Sequence, residues 1–352
     1  MRLVFDDERT RLYQADCLAW LREQPKHSIQ AVVTDPPYGL IEYSDEQMTK
    51  RRNGKGGVWR IPPSFGGSKR APLPRFTVLS DTQTEDLYRF FLQWGKTLLP
   101  ALTPGAYVMV ASMPLLADKV SRALTDAGFE FRGEIIRLVQ TLRGGDRPKG
   151  AEEEFPMVSA MPRGAWEPWV LMRRPLDGTL ADTLRKWGTG GLRRLEDGGP
   201  FVDVIPSQRT PRTERRIANH PSLKPQAFLR QIVRAALPLG EGVVLDTFAG
   251  SGSTLAAARH VGYESVGVEL SEEYAGLAAS AIPQLAALGA PDGRSDGEEP
   301  LSNGVGAEAT PASTTNRHRV VHARPGRESA VAEDASSGEL DSSGAVRATA
   351  RR

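Results

Sequence analysis

The sequence predicts an α/β protein built on a doubly wound sheet, and three observations carry that expectation. Short apolar, β-branched runs ending at or beside an acid recur at Ile29 to Val33, Val243 to Asp246 and Glu264 to Glu269, as buried parallel strands do. Amphipathic helical stretches alternate with strands along the chain, over 17–22, 84–99, 115–127, 226–237 and 255–260. Finally, Gly250 and Gly252 form a turn between the Asp246 strand and the next helix, which leaves room for close approach of a ligand. Open sheets of this kind bind ligands outside the carboxyl ends of their strands.

Taken in order, Arg11 to Asp16 reads as a short strand ending in an acid, and Cys17 to Arg22 as the helix that returns to the Ile29 strand. Asp16 and Asp35 thereby share one sheet edge, although an aspartate directly before a helix also fits an N-cap. Pro36 and Pro37 stop both strand and helix immediately after Asp35, so a carboxylate, two proline-fixed carbonyls and the Tyr38 ring arrive together. Proline carbonyls have no N–H beside them to form a local ladder and stay free to accept from a ligand donor. The cluster suits a planar aromatic amine; as a bare tetrapeptide it also fits an ordinary turn.

Leu40 to Phe76 is long, polar and basic, with Lys50-Arg51-Arg52, Lys55, Arg60 and Lys69-Arg70. Because loops of this length are usually functional or disordered, 40–76 is expected to be a mobile loop able to close over a polyanion, a solvated linker being the alternative, with Trp59 and Phe65 as stacking or wedge residues or as pins for the loop. The core resumes with a helix over Thr84 to Leu99, a strand over Gly105 to Ala111, a helix over Leu115 to Ala127 closed by Gly128, and an extended strand or hairpin over Phe129 to Thr141. Residues 142–211 then turn rich in Arg, Gly and Trp, with little periodicity outside Trp169 to Met172. They are expected to form an insert that meets phosphates and base edges.

The cofactor half is expected over 212–288. Glu264 to Glu269 follows the glycine turn and its helix, and an acid at that strand tip can take both hydroxyls of a ribose. Strand, turn, helix, strand and terminal acid in this order point to a nucleoside-containing cofactor. From 289 to 352 the composition is Ala, Gly, Ser, Asp, Glu and Arg with few large apolar groups, which predicts a disordered tail.

Composition sets the bounds. The 352 residues are 39% hydrophobic and 25% charged, and no apolar run approaches the roughly 20 residues that span a bilayer. The acidic start lacks a signal-peptide core, so a cytoplasmic location is expected. One cysteine, Cys17, excludes an intramolecular disulfide, and five histidines without paired spacing give no recognisable zinc site, so no metal is expected. A net charge of +2 is too small to establish a nucleic-acid partner by itself.

Three motifs, Thr34-Asp35-Pro36-Pro37-Tyr38, His220-Pro221-Ser222-Leu223-Lys224-Pro225 and Asp246-Thr247-Phe248-Ala249-Gly250-Ser251-Gly252-Ser253-Thr254, together resemble the S-adenosylmethionine-dependent amino methyltransferases of DNA. The catalytic motif precedes the cofactor motif with the basic insert between them, the order of the permuted β group, and the resemblance covers about residues 8–288. It implies a circularly permuted, Rossmann-like methyltransferase sheet, S-adenosylmethionine as cofactor, double-stranded DNA as partner, and 142–211 as target-recognition insert. Asp35 and the Pro36 carbonyl would hold the exocyclic amine of a flipped base, with Pro37 in the same motif and Tyr38 stacked on the base face. Phe248, Gly250 and Gly252 would lie along the cofactor, Glu269 would take its ribose, and Asp16 its adenine amine. Asp246 and Thr254 are counted with this group, as is Lys224, to which no particular contact is assigned.

An aspartate at the first motif position leans to adenine N6; cytosine N4 is the alternative, and a protein or RNA methyltransferase a more distant one. A homodimer and a cognate restriction endonuclease are the remaining partners under this resemblance. The role of Glu167 stays open. Cys17 is expected to be a buried packing residue, because it lies at a helix start and not beside a proline in a catalytic loop.

Overall fold

The computed structural model describes residues 1–38, 79–139, 164–220 and 222–289, with short pieces between 148 and 162. The loop expected over 40–76 and, apart from Gly289, the tail expected over 289–352 lie outside the described residues.

Nine strands form one sheet: β1 (Arg2–Asp6), β2 (Thr10–Gln14), β3 (Ile29–Thr34), β4 (Leu102–Ala111), β5 (Glu130–Leu138), β6 (Trp166–Arg173), β7 (Val204–Pro206), β8 (Val243–Asp246) and β9 (Glu264–Glu269). Their order is β1-β2-β9-β8-β3-β4-β6-β5-β7, and β2 through β4 are mutually parallel. Eight helices accompany them among the described residues: α1 (Cys17–Arg22), α2 (Asp81–Leu98), α3 (Ala117–Asp126), α4 (Leu180–Trp187), α5 (Arg212–Ile217), α6 (Gln226–Ala236), α7 (Ser253–His260) and α8 (Glu272–Ala287).

The strands are apolar on both faces because both faces are covered. Val32, Val108 and Val110 pack into a cluster with Trp20, Phe91, Trp94 and Leu124 from α1, α2 and α3. Their neighbours Ala31, Val33 and Met109 point the other way, onto Phe228, Leu229, Ile232 and Val233 of α6. Helix α2 starts at Asp81, three residues before the expected Thr84, because Ser80 and Gln83 close a reciprocal capping box at its N-terminus.

Sequence order breaks between β3 and β8, and this break places the site. β3 from the first half of the chain lies beside β8 from the second, pairing Ala31 with Val244 and Val32 with Leu245. Their carboxyl ends are fastened where Thr34 Oγ1 donates to Asp246 Oδ1 at 2.6 Å. A crevice beyond strands whose order reverses is where open α/β sheets take ligands.

Part of the stretch expected as an insert lies in the sheet. Within 142–211, β6 lies between β4 and β5, antiparallel to both, and its Trp169, Val170 and Met172 are fully buried. β7 extends the same sheet beyond β5. The surrounding Arg- and Gly-rich sequence hides a strand whose apolar residues fill the core. Most of 140–163 lies outside the described residues.

Candidate active site

Asp35, Pro36, Pro37 and Tyr38 follow directly from β3, and the fold brings Lys224 onto them from the segment before α6. Lys224 Nζ donates to Asp35 Oδ2 at 2.5 Å and to Tyr38 Oη at 3.1 Å, and lies 5.4 Å from the centre of the Tyr38 ring. Both charged side chains are shielded, with 8% of the Lys224 side chain and 15% of that of Asp35 exposed. Burial pushes the Asp35 carboxyl up, the Lys224 ammonium opposes this, and Glu167 adds to it. Burial first, then Asp35 and Glu167, holds the Tyr38 phenol well above its ordinary value, so the ring stays neutral. Lys224 was expected with the cofactor residues; its contacts put it on the Asp35 side of the crevice.

Two further residues complete this charge network. Glu167 Oε2 lies 3.7 Å from Lys224 Nζ and 3.4 Å from Arg137 Nη1, and Glu167 Oε1 accepts from Trp169 Nε1 at 3.0 Å. Arg137, 5% exposed, also donates to Ser207 Oγ and to the Gln208 carbonyl. Arg137 and Glu167 face each other across β5 and β6 in register. Charges therefore alternate from Asp35 to Lys224, Glu167 and Arg137, which offsets the cost of burying each of them. Arg137 escaped sequence reading altogether; the usable signal was a charge inside each of two apolar strands, Ile135 to Leu138 and Trp166 to Val170.

The second group gathers at the ends of β8 and β9. Asp246, 3% exposed, accepts from Thr34 Oγ1 and from the Phe248 amide, and Thr254 also bonds to its carboxylate. Burial raises its carboxyl to about 6 against those bonds. Asp246 and Thr254 thus shape the glycine turn from beneath. Phe248 leans on Phe90 and Trp94, with ring centres 6.1 and 6.2 Å away. Gly250 has φ +52, and its amide donates to Glu269 Oε2 at 2.8 Å; a Cβ there would lie 3.4 Å from the His220 ring. Gly252 has φ +80, where a side chain is strained, and a Cβ would come within 2.5 Å of Ile282. Ser251 Oγ is buried in the same turn without a hydrogen-bond partner among the described residues.

Asp16 is exposed and caps α1 by accepting from the Ala19 amide at 2.8 Å. The adjacent Ala15 amide donates to the Glu269 carbonyl, which brings Asp16 to the same edge as Glu269 and Gly250. Cys17 is buried beneath, its thiol pushed up to about 12 by burial and by Asp16, and is therefore unreactive.

A buried acceptor and an aromatic ring at the end of β3, fastened beside a glycine turn and a strand-end acid at the ends of β8 and β9, can serve two ligands side by side. The sequence matches the DNA methylase family over residues 29–280. It is 32% identical over 274 residues to the type II methyltransferase M2.DpnII of Streptococcus pneumoniae, covering 78% of this chain and 90% of that protein. To the type II methyltransferase M.HindIII of Haemophilus influenzae it is 24% identical over 284 residues, covering 73% and 90%. Among solved structures, the PvuII DNA methyltransferase, described as cytosine-N4-specific, shares the fold with a TM-score of 0.53 at 14% identity, over 81% of this chain and 94% of that one.

Proposed function

This chain belongs to the N6/N4 DNA methylase family, and from that premise we propose that it transfers a methyl group from S-adenosylmethionine to N6 of an adenine flipped out of double-stranded DNA. The observation that carries this reading is the shielded Asp35, set beside the Tyr38 ring at the point where β3 and β8 are fastened together. The choice of adenine rests on an aspartate at the first motif position.

The glycine turn fits the cofactor. Gly250 and Gly252 hold the left-handed backbone that the turn requires, Ser251 Oγ has no hydrogen-bond partner among the described residues, and the Glu269 carboxylate stands beside the Gly250 amide. Phe248, Gly250, Gly252, Glu269 and Asp16 would hold S-adenosylmethionine, with Asp246 and Thr254 fixing the turn. When bound, it supplies a methyl carbon made electrophilic by the sulfonium.

Asp35 and the Pro36 carbonyl accept the two protons of the exocyclic amine and favour a pyramidal nitrogen whose lone pair is available. Holding that nitrogen in line is the main task of the site, and orientation alone contributes about 7–11 kcal/mol in well-aligned reactions. Tyr38 stacks on the base, worth about 1–3 kcal/mol, which offsets part of the few kcal/mol that flipping costs. The amine turns acidic only once methylated, and the raised Asp35 carboxyl suits it to take that proton late.

Around the crevice, the arginines of 142–211 outside β6 and β7 would position DNA through its phosphates and read base edges, with affinity that falls as salt rises. The reading also takes a cytoplasmic location, a homodimer, checked by light scattering, and a cognate restriction endonuclease, which follows the type II names of the relatives.

Incubation of DNA with purified protein and labelled S-adenosylmethionine, followed by mass spectrometry of the nucleosides, tests the proposal. N6-methyladenine from the wild type and at least about 1,000-fold less from Asp35→Ala is the expected result, since the variant loses both acceptor and alignment. N4-methylcytosine as the sole product would move the assignment to cytosine, and no methylated nucleoside would reject it.

A further inference from the structure

Lys224 has more to offer than a counter-charge. Its ammonium carries three N–H donors; one meets Asp35 at 2.5 Å and one meets Tyr38 Oη at 3.1 Å. Among the described residues, the remaining charged group beside the ammonium is Glu167, at 3.7 Å, which is beyond hydrogen-bonding distance. Asp35 and Lys224 therefore present an acceptor and a donor side by side next to the Tyr38 ring.

We propose that this pair reads the amidine edge of the flipped base: Asp35 takes the exocyclic amine while Lys224 donates to the adjacent ring nitrogen. Building on the methyl-transfer reading above, the inference adds a specificity-determining residue to it. In adenine, N6 and N1 share one carbon, as do N4 and N3 in cytosine, which places the two nitrogens roughly 2.3 Å apart by ordinary bond lengths. The 2.5 Å between Asp35 Oδ2 and Lys224 Nζ matches that spacing. Guanine and thymine carry the reverse order, a carbonyl beside a ring N–H. Seated in the same way, they would set oxygen against carboxylate and N–H against ammonium, two repulsive contacts that reject them.

A flipped base is ordinarily read on its Watson–Crick edge, so N1 of adenine is the atom assigned to Lys224. Glu167 is a positioning residue in this scheme. Braced by Arg137 and Trp169, it stands 3.7 Å from the ammonium as a second counter-charge.

The test uses duplexes bearing the motif that the protein is found to modify, with the target adenine replaced by 1-deazaadenine, which lacks the acceptor, or by 7-deazaadenine as control. If the modified base is cytosine, 3-deazacytosine takes the place of 1-deazaadenine. For the wild type, removal of the ring acceptor is expected to lower kcat/KM by about 10- to 100-fold, the worth of one hydrogen bond to a charged donor. 7-Deazaadenine is expected to stay within about threefold.

Lys224→Met is expected to lose activity on both bases through the unpaired Asp35, and to lose about 10- to 100-fold less on 1-deazaadenine than on adenine. That non-additivity separates a lost contact from an altered amine reactivity. Wild-type methylation indifferent to the ring nitrogen, losses that simply multiply in the variant, or sensitivity to N7 alone would overturn the inference while leaving methyl transfer intact. A wild type that methylates no DNA rejects the methyl-transfer reading and this inference with it. Should Lys224→Met fail to fold, the wild-type comparison of the analogues decides alone.

Discussion

Tyr38 offers two separable features, a ring for the base and a hydroxyl that accepts from Lys224. Tyr38→Phe removes the hydroxyl's bonds to Lys224 and Asp35 but is expected to keep kcat/KM within a few-fold, because Lys224 still pairs with Asp35. Tyr38→Ala is expected to lower it by about 10- to 100-fold through lost stacking. Steady-state kinetics on one duplex separates the two, and equal losses would remove the ring from the base-binding role. Glu167 gives a prediction of sign. Its charge adds to the upward push on the Asp35 carboxyl, so Glu167→Gln is expected to move the acid limb of the kcat/KM profile to lower pH. A limb that moves up or stays in place contradicts the network. Asp35 and Tyr38 were legible in the sequence because two prolines isolate them at a strand end. Glu167 and Arg137 were not, because a charge within a strand reads as surface until its partner on the neighbouring strand is known. Lys224 reaches Asp35 only through the juxtaposition of β3 with the segment before α6, which no local pattern reveals.

At the level of elements, the glycine turn is the most constrained piece. Gly252→Ala meets both a left-handed backbone and the Ile282 side chain, and is expected to cost about 2–4 kcal/mol in urea denaturation. Beneath the turn, Asp246 has a folded value of about 6 against an ordinary 3.8. The folded state then binds the proton more tightly than the unfolded state does. That contribution is present in full below about pH 4 and is lost as pH rises through 6. The stability of the wild type relative to Asp246→Asn is accordingly expected to fall by about 2 kcal/mol between pH 4 and pH 7; a difference flat with pH would contradict the burial of this carboxyl. The β8-turn-α7-β9 unit was readable because pattern, turn residues and terminal acid agree locally. Of β6 only the periodic Trp169 to Met172 stood out, since Glu167 and Pro168 interrupt its start, while its place between β4 and β5 depends on long-range pairing.

Across the whole molecule, the permuted strand order brings the two halves of the site together. Asp35 comes from the first half of the chain and the glycine turn from the second, and both stand at the break between β3 and β8. Among the described residues no helix is long and apolar enough to cross a membrane. S-Adenosylmethionine at about 100 times its Kd is expected to raise the unfolding free energy by about 2.7 kcal/mol. Gly252→Ala is expected to abolish that gain in a thermal shift assay, whereas Asp35→Ala leaves it in place. Whether the amine and the methyl donor meet at this break is decided most directly by single-molecule sequencing of DNA from a methylation-free host expressing either the wild type or Asp35→Ala. One motif modified on adenine in the wild-type sample and absent from the variant is the predicted result. Unmodified DNA from both, or the same motif modified in both, would contradict it.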